Sequence, residues 1–182
     1  MKIEELKREK GSVLNIFTVF CFSLCIFFFS ACGVYSFKDV SIQPPNAKTI
    51  HIGYIENKAR YVNPLLSPQL TDQLKLKISS RVSKLTQLPT SDADFDVSAY
   101  VTGYDPSTSG VSGQQAATNR LTVTVHIDFK NRLDDKRNFS ADVTRNFDYS
   151  ATLTLSQAEG SLLSTIVSNV TDEMFNRIFS NW

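Results

Sequence analysis

Residues 121–130 read LTVTVHIDFK, and in this stretch every second residue is apolar while the residues between them are polar. Successive side chains of a β-strand point to opposite faces, so this alternation predicts a strand with one buried and one solvated face. The same period of two recurs in residues 95–104 and 139–149. The connection from Leu133 to Asn138 is too short for the crossover helix that a parallel pair needs. The sequence therefore predicts antiparallel pairing here.

A further strand and a first helix precede these three strands. Thr49 to Glu56 alternates in the same way and predicts strand one. Ser67 followed by Pro68 is typical of a helix start, because serine can cap free amide groups and proline tolerates the first helical position. An apolar stripe at helical spacing follows: Leu70, Leu74, Ile78, Val82 and Leu85. We expect this helix to end near Thr86, since Pro89 cannot continue it.

A second helix closes the chain. Ser156 and Glu159 have the spacing of a capping box, and apolar residues follow at helical spacing as far as Trp182. The aromatic residues near this end either seal the core or contact a partner. The element order is β-α-β-β-β-α, which predicts an α+β two-layer sandwich: a four-stranded, mainly antiparallel sheet with both helices on one face. The other face, rich in threonine, could meet water or a ligand.

The longest predicted connection runs from Asp105 to Thr118. It is rich in Ser, Thr, Gly and Gln, and Val111 is its one large aliphatic residue. This composition predicts a mobile hairpin loop. It is either a solvated connector or, given its length, a functional segment.

The first 32 residues have the pattern of a targeting segment. A partly basic start is followed by the uncharged run from Val13 to Phe29, and the small residues Ser30 and Ala31 precede Cys32. Small residues before a cysteine are typical of a bacterial lipoprotein precursor. We therefore expect a signal peptide over residues 1–31, a lipidated Cys32 with a tether over residues 32–48, and one domain over residues 49–182. An uncleaved membrane anchor remains the alternative, because the run is intermediate in length and Phe29 stands where such motifs usually carry leucine.

Charge and cysteine content exclude several classes of protein. Four of the 19 Lys and Arg residues and three of the 18 Asp and Glu residues precede Gly11, which leaves 15 of each after Cys32. This balance argues against a nucleic-acid-binding module. All three cysteines lie within residues 1–32, so the domain contains no thiol for a disulfide, a zinc site or nucleophilic catalysis.

Catalytic and metal-binding motifs are absent from the sequence. There is no phosphate-binding glycine loop, no H-E-x-x-H and no nucleophile elbow. Asp92, Asp94 and Asp96 have calcium-loop spacing, but the glycine and the distal glutamate of such a loop are missing. His51 and His126 fall on predicted strands as ordinary surface residues. We expect no enzyme activity, no cofactor and no metal.

Four basic residues are individual candidates for ligand binding. Lys77, Arg81 and Lys84 lie on one shoulder of the first helix, beside its apolar stripe. Such a surface suits a ligand that carries both phosphates and acyl chains, although a charged helix shoulder is often simply solvated. Arg120, at the start of the most regular strand, is the fourth candidate.

Four stretches together resemble the LptE family of lipopolysaccharide-assembly lipoproteins in its Bacteroidota-type form. They are ACGVYSF at 31–37, NKARYVNPLLSPQL at 57–70, ATNRLTVTVHIDFKN at 117–131 and FNRIFSNW at 175–182. The resemblance implies a non-enzymatic protein that plugs the LptD β-barrel, assists its assembly and handles lipopolysaccharide. It assigns no lipopolysaccharide-contacting residue.

The same resemblance implies a location at the periplasmic face of the outer membrane, with the lipid on Cys32 as anchor. Gly33 is not the aspartate that retains lipoproteins at the inner membrane in the best-studied sorting rule. Two other functions remain open. One is a lipoprotein that binds a lipid or another envelope ligand without a translocon, and the other is an envelope assembly factor held at the inner membrane by an uncleaved Val13 to Phe29 span.

Overall fold

The computed structural model describes residues 46–112 and 115–179, which form a mixed six-stranded sheet covered on one face by two helices. The predictions for the targeting segment, for Cys32 and for residues 180–182 lie outside the described residues. The elements are β1 (Thr49–Ile52), β2 (Glu56–Asn57), α1 (Leu66–Arg81), β3 (Thr86–Leu88), β4 (Phe95–Ser112), β5 (Gln115–Asn131), β6 (Phe139–Ser150) and α2 (Leu155–Phe179).

The strands lie in the order β3-β1-β4-β5-β6, and β2 pairs with β4 beside this path. Strand β1 is parallel to both β3 and β4, whereas β4, β5 and β6 are successively antiparallel. The α+β class and the antiparallel pairing of the three long strands are therefore confirmed. The prediction of four strands was wrong, because β2 and β3 are too short to show a period.

The large apolar residues of β5 face the helices. Leu121, Val123, Val125, Ile127 and Phe129 are each at most 1% exposed. They belong to one hydrophobic core with the buried residues of both helices. Burying one such side chain stabilises the fold by about 1.5–3 kcal/mol, so the central strand and the two helices depend on each other.

The first strand and first helix differ from prediction at their ends. Strand β1 stops at Ile52, not near residue 56. Helix α1 begins at Leu66 with no side-chain cap from Ser67, and it ends at Arg81 rather than near Thr86. Thr86 instead opens β3, where its backbone N–H donates to the Lys48 carbonyl at 2.8 Å. A parallel partner for β1 stabilises this segment more than another helical turn could, since Pro89 follows closely.

The prediction of a mobile loop from Asp105 to Thr118 was also wrong. Strands β4 and β5 continue through it as one hairpin arm, paired as far as Ser112 and Gln115. Ser107 and Ser109 each donate a side-chain hydrogen bond to a backbone carbonyl of β5, at 3.5 and 3.3 Å. Small polar residues can form such a ladder without an apolar alternation, which is why composition predicted a loop.

Helix α2 is capped two residues earlier than predicted. Thr154 Oγ1 accepts from the Gln157 backbone N–H at 3.3 Å, and Gln157 Oε1 accepts from the Thr154 backbone N–H at 2.9 Å. This reciprocal pair is a capping box. Glu159, the predicted member of the box, is bound by side chains of other elements.

Two leucines of α1 test how far the core depends on this helix. Replacing Leu74, which is fully buried, with alanine is expected to lower the free energy of unfolding by about 2–5 kcal/mol, because it leaves a cavity under the sheet. The matched substitution Leu76→Ala, at a side chain that is 62% exposed, is expected to change it by less than about 0.5 kcal/mol. Denaturant unfolding measures both values, and equal effects would contradict the assigned helix face.

Candidate functional site: the polar face of the sheet

The face of β5 and β6 that points away from the helices carries a continuous row of side-chain pairs. Alternation places short polar side chains of the two strands opposite each other at about 5 Å, close enough to hydrogen-bond. Four successive pairs do so: Arg120 with Asp148, Thr122 with Asn146, Thr124 with Thr144, and His126 with Asp142. We call these eight residues the polar ladder.

The two ends of the polar ladder are ionic. Arg120 binds Asp148 through Nε at 2.7 Å and through Nη2 at 3.0 Å. This two-point contact raises the pKa of Arg120 and lowers that of Asp148. At the other end, His126 Nδ1 lies 2.6 Å from Asp142 Oδ1. The hydrogen bond to Asp142 raises the pKa of His126, and the nearby Asp128 adds to the effect.

Ser140, His126 and Asp142 are connected in the order of a hydrolase triad, with Ser140 Oγ 2.8 Å from His126 Nε2. The carboxylate of such a triad is buried, whereas the Asp142 side chain is 59% exposed. Asp128 Oδ1 also lies 3.5 Å from the same Nε2. Two carboxylates around one imidazole favour its protonated form, which cannot act as the general base. We therefore interpret this cluster as an ion pair at the surface.

Strand β4 extends the polar face beyond the ladder. The Tyr100 ring is close to two basic side chains: it lies 5.0 Å from the ring of His126 and 4.3 Å from Lys58 Nζ. Further along, His51 Nδ1 of β1 lies 2.7 Å from Asp96 Oδ1 of β4. The face as a whole thus presents hydrogen-bonding groups and paired charged side chains rather than apolar surface.

A second polar cluster lies at the opposite layer, where α2 begins. Glu159 accepts hydrogen bonds from Tyr104 Oη at 2.8 Å, Asn63 Nδ2 at 2.9 Å and Tyr61 Oη at 3.2 Å. The two tyrosine rings stack at 5.5 Å. Burial, followed by the contact with Glu159, raises the pKa of Tyr104. One carboxylate therefore holds together the segment before α1, strand β4 and helix α2.

The structure separates the four basic residues that the sequence singled out. Lys77 forms an ion pair with Asp172 of α2, and burial followed by repulsion from Arg81 lowers the pKa of Lys77. Arg81 and Lys84 are exposed, and neither forms an ion pair with another described residue. Arg120 lies on the other face of the sheet and is bound to Asp148. The four residues do not form one site.

Other predicted sites are also dispersed. Asp92 binds the Thr90 hydroxyl, while Asp94 accepts from the backbone N–H groups of Lys48 and Thr49. Within residues 46–112 and 115–179, no three metal-ligating side chains lie close enough together to hold an ion. Neither described helix combines the length and the apolar character needed to cross a bilayer.

A small basic pocket lies where β6 begins and α2 ends. Its lining includes the basic residues Lys136, Arg137 and Arg177 and the aromatic residues Phe129 and Phe139. Its volume of about 250 Å³ is below the range of about 300–1,000 Å³ that is usual for sites that enclose a drug-sized ligand. The extended polar face is therefore the stronger candidate for a functional surface.

The sequence shows both polar rows of the polar ladder but not how they pair. The polar residues of β5 are visible in the alternation, as are those of β6. Which residues of the two rows pair is decided by the register, in which Thr124 lies opposite Thr144. The complementary polar residues of β5 and β6 were the sequence feature from which this pairing could have been inferred.

The chain is similar to one protein family and, at low identity, to several solved structures. The family model of LptE, described as lipopolysaccharide-assembly, matches residues 47–178. A minor lipoprotein from Acinetobacter baumannii is 19% identical with a TM-score of 0.48, covering 74% of this chain and 94% of its own. The rare lipoprotein B from Shewanella oneidensis is 12% identical with a TM-score of 0.46, covering 72% and 94%. No curated protein matches the chain.

Because Glu159 accepts three side-chain hydrogen bonds, replacing its carboxylate with an amide is expected to destabilise the fold. Glu159→Gln is expected to lower the free energy of unfolding by about 1–3 kcal/mol, because an amide cannot accept from three donors at once and turns its own donor toward them. The control Glu173→Gln removes a carboxylate of the same helix that pairs with the exposed Arg145, and should cost less than about 1 kcal/mol. Thermal or denaturant unfolding distinguishes the two, and a cost at Glu173 as large as that at Glu159 would contradict this assignment.

The contact between His126 and Asp142 in the polar ladder predicts a raised pKa for His126. Its pKa should lie above the usual value of about 6.5 and should fall in Asp142→Asn, as followed by NMR of the imidazole ring. Asp148→Asn, on the same face of the same strand, should leave this pKa unchanged because Asp148 binds Arg120. Since the folded state raises the pKa, the contribution to stability is complete below pH of about 6.5 and is lost as pH rises through the folded value. A pKa that is indifferent to Asp142 would refute the pairing.

Proposed function

Because the chain belongs to the LptE family of lipopolysaccharide-assembly proteins, we propose that it is a non-enzymatic lipoprotein that plugs an LptD-type β-barrel. In this role it assists assembly of the barrel and the passage of lipopolysaccharide to the cell surface. The family match covers the described domain almost from end to end, so the proposal concerns the whole domain rather than one motif.

The polar ladder is the observation that carries the plug role. The interior of an outer-membrane barrel is polar and hydrated. A domain that enters it needs an outer surface of hydrogen-bonding groups, and on the sheet face these groups are already paired with each other. Such a face can lie against a hydrated wall without leaving a buried polar group unsatisfied.

The proposed location depends on a lipid anchor at Cys32. We propose cleavage after Ala31 and lipidation of Cys32, which would attach the domain to the periplasmic face of the outer membrane. Two or more acyl chains hold a protein stably where a single chain is marginal. The segment that follows, up to residue 48, then serves as a tether.

We propose that exposed cationic side chains at the end of α1 and just after it contact lipopolysaccharide directly. Arg81 and Lys84 have no ion-pair partner among the described residues, so their charges are available to phosphate groups. Lys77 and Arg120 are weaker candidates, since each is bound to an aspartate. Lys77 would have to leave Asp172 before it could bind a ligand.

Affinity purification from detergent-solubilised outer membrane tests partner and anchor together. A tagged chain is expected to recover an LptD-type barrel, and mass spectrometry should find a lipid-modified Cys32 at its amino terminus. Cys32→Ser should lose both the lipid and the outer-membrane fraction, while the control Cys25→Ser, within the segment to be removed, should keep both.

Three outcomes would overturn parts of this proposal. Recovery of soluble periplasmic proteins alone, with normal lipopolysaccharide export after depletion, would exclude the plug role. Tight binding of a lipid by the purified protein without any barrel would favour the ligand-binding alternative. An intact sequence from Met1 to Cys32 in the mature protein would show an inner-membrane anchor.

A further inference from the structure

The basic pocket lies where the short 3₁₀ turn before β6, Asp135–Arg137, meets the last turn of α2. Its volume of about 250 Å³ is too small to enclose a drug-sized molecule but is sufficient for one small charged group. Its lining contains no described carboxylate, and it combines three cationic side chains with three apolar ones: Lys136, Arg137, Arg177, Phe129, Phe139 and Ile178. The pocket therefore has the composition of an anion-binding site.

Two of the three cations have no acidic partner among the described residues. Arg137 does have one, since its Nε lies 3.3 Å from Asp134 Oδ2. Lys136 and Arg177 take part in no ion pair within residues 46–112 and 115–179. Both side chains line the pocket, so it presents two positive charges that are available to an anion.

The guanidinium group of Arg177 is held in place by aromatic rings. Its Cζ lies 5.3 Å from the centroid of the Phe139 ring. That ring in turn stacks at 5.3 Å on the ring of Phe129, which is almost completely buried. A guanidinium that rests on an aromatic ring still has N–H donors around its rim for an anion. Because the side chain is already positioned, binding an anion costs it less conformational entropy.

The turn that carries Lys136 is fixed by hydrogen bonds at both ends. Asp134 Oδ1 accepts from the Lys136 backbone N–H at 3.2 Å, and Asn138 Oδ1 accepts from the Asn131 backbone N–H at 2.6 Å. Asp135, the acid next to Lys136 in the sequence, accepts from Asn138 Nδ2 at 3.4 Å. The Lys136 backbone is therefore held beside the pocket, and a ligand has only its exposed side chain to order.

The balance of charge indicates which anion fits. The carboxyl end of α2 contributes about half a negative charge, which disfavours an anion, and the two available cations exceed it. A phosphate monoester carries a charge of about −1.5 to −2 at pH 7, so it matches them. A carboxylate or a phosphodiester carries a single negative charge and would leave one cation unpaired. Arginine also binds phosphate through two parallel hydrogen bonds.

We propose that the basic pocket binds a phosphate monoester group, with Arg177 donating two hydrogen bonds and Lys136 donating one. The carbon skeleton next to the phosphate then lies against the apolar side of the lining. A small sugar phosphate and the headgroup of a lipid both carry this group. The site requires neither a barrel partner nor Arg81 and Lys84, since neither of these residues lines the pocket.

Isothermal titration of the full 182-residue chain in non-ionic detergent tests the proposal with two pairs of probes. Glucose 1-phosphate is compared with glucose, and phosphatidic acid with phosphatidylglycerol, whose phosphate is a diester. The monoester of at least one pair should bind saturably, at one site per chain, and at least about tenfold more tightly than its partner. Binding of glucose 1-phosphate assigns the pocket to soluble sugar phosphates, and binding of phosphatidic acid alone assigns it to lipid headgroups. Binding of neither monoester, or equal binding within both pairs, would overturn the proposal.

Substitutions locate the bound phosphate. Arg177→Gln and Lys136→Gln each remove a charged donor and should weaken binding of the monoester by at least about tenfold. Arg177→Lys keeps the charge but loses the paired donors, so its affinity should lie between those of wild type and Arg177→Gln. Lys130→Gln is the matched control, because Lys130 follows Phe129 in β5 but is exposed and does not line the pocket. It should change the affinity by less than about threefold, since solvent screens its charge.

The controls separate a specific site from general attraction to a positive surface. Circular dichroism should show that each variant is folded. Lys136→Gln is decisive if Arg177→Gln unfolds, because the exposed Lys136 side chain has no described partner whose loss could destabilise the fold. A loss of affinity in Lys130→Gln as large as that in Lys136→Gln, or unchanged binding in both pocket variants, would show that the phosphate does not occupy this pocket.

Discussion

The alternation of side chains along β5 is the constraint on which the rest of the structure depends. This strand lies between β4 and β6, and from Leu121 to Phe129 its odd-numbered residues belong to the core, while Thr122, Thr124 and His126 belong to the polar face. A slip of one residue would exchange the two sets and bury His126 and the threonines beneath the helices. Because both faces are specified at every position, the register of β4 and β6 on either side is specified as well.

The Glu159 cluster makes a different contribution, since it connects elements that the sheet alone leaves apart. Asn63 holds its amide in place by accepting from the Leu65 backbone N–H, and this leaves its own N–H₂ group directed at Glu159. The entry to α1, strand β4 and the first turn of α2 therefore meet at one carboxylate. Both described helices pack on the opposite face of the sheet, so neither of them covers the polar face.

Long periodic segments were predictable from the sequence, and short or ambiguous ones were not. The three long strands and both helices follow from periods of two and of 3.6 residues. The three residues of β3 form a strand only because β1 offers a partner that lies 37 residues earlier at Thr49. Two overlapping capping patterns start at Thr154 and Ser156, and local sequence cannot choose between them; the distant partners of Glu159 decide.

The candidate site was predictable to a similar extent. The resemblance led to the family, and the polar rows of β5 and β6 were visible. Their pairing was not, because it requires the register. The four basic residues were chosen from helical and strand positions one at a time, and such positions do not reveal that Asp172 and Asp148 lie opposite two of them.

The location of Glu159 late in the chain has a consequence for the time course of folding. Asn63 is separated from its carboxylate partner by 96 residues, and both neighbours of β1 follow it along the chain. A polypeptide delivered amino terminus first therefore exposes an unpaired β1 until β3 emerges, and β1 lacks its second neighbour until β4 follows. It cannot fasten the entry to α1 until α2 arrives. Contacts of such long range slow folding, so we expect the β5–β6 hairpin to form early and the amino-terminal third to depend on protection by other proteins until synthesis is complete.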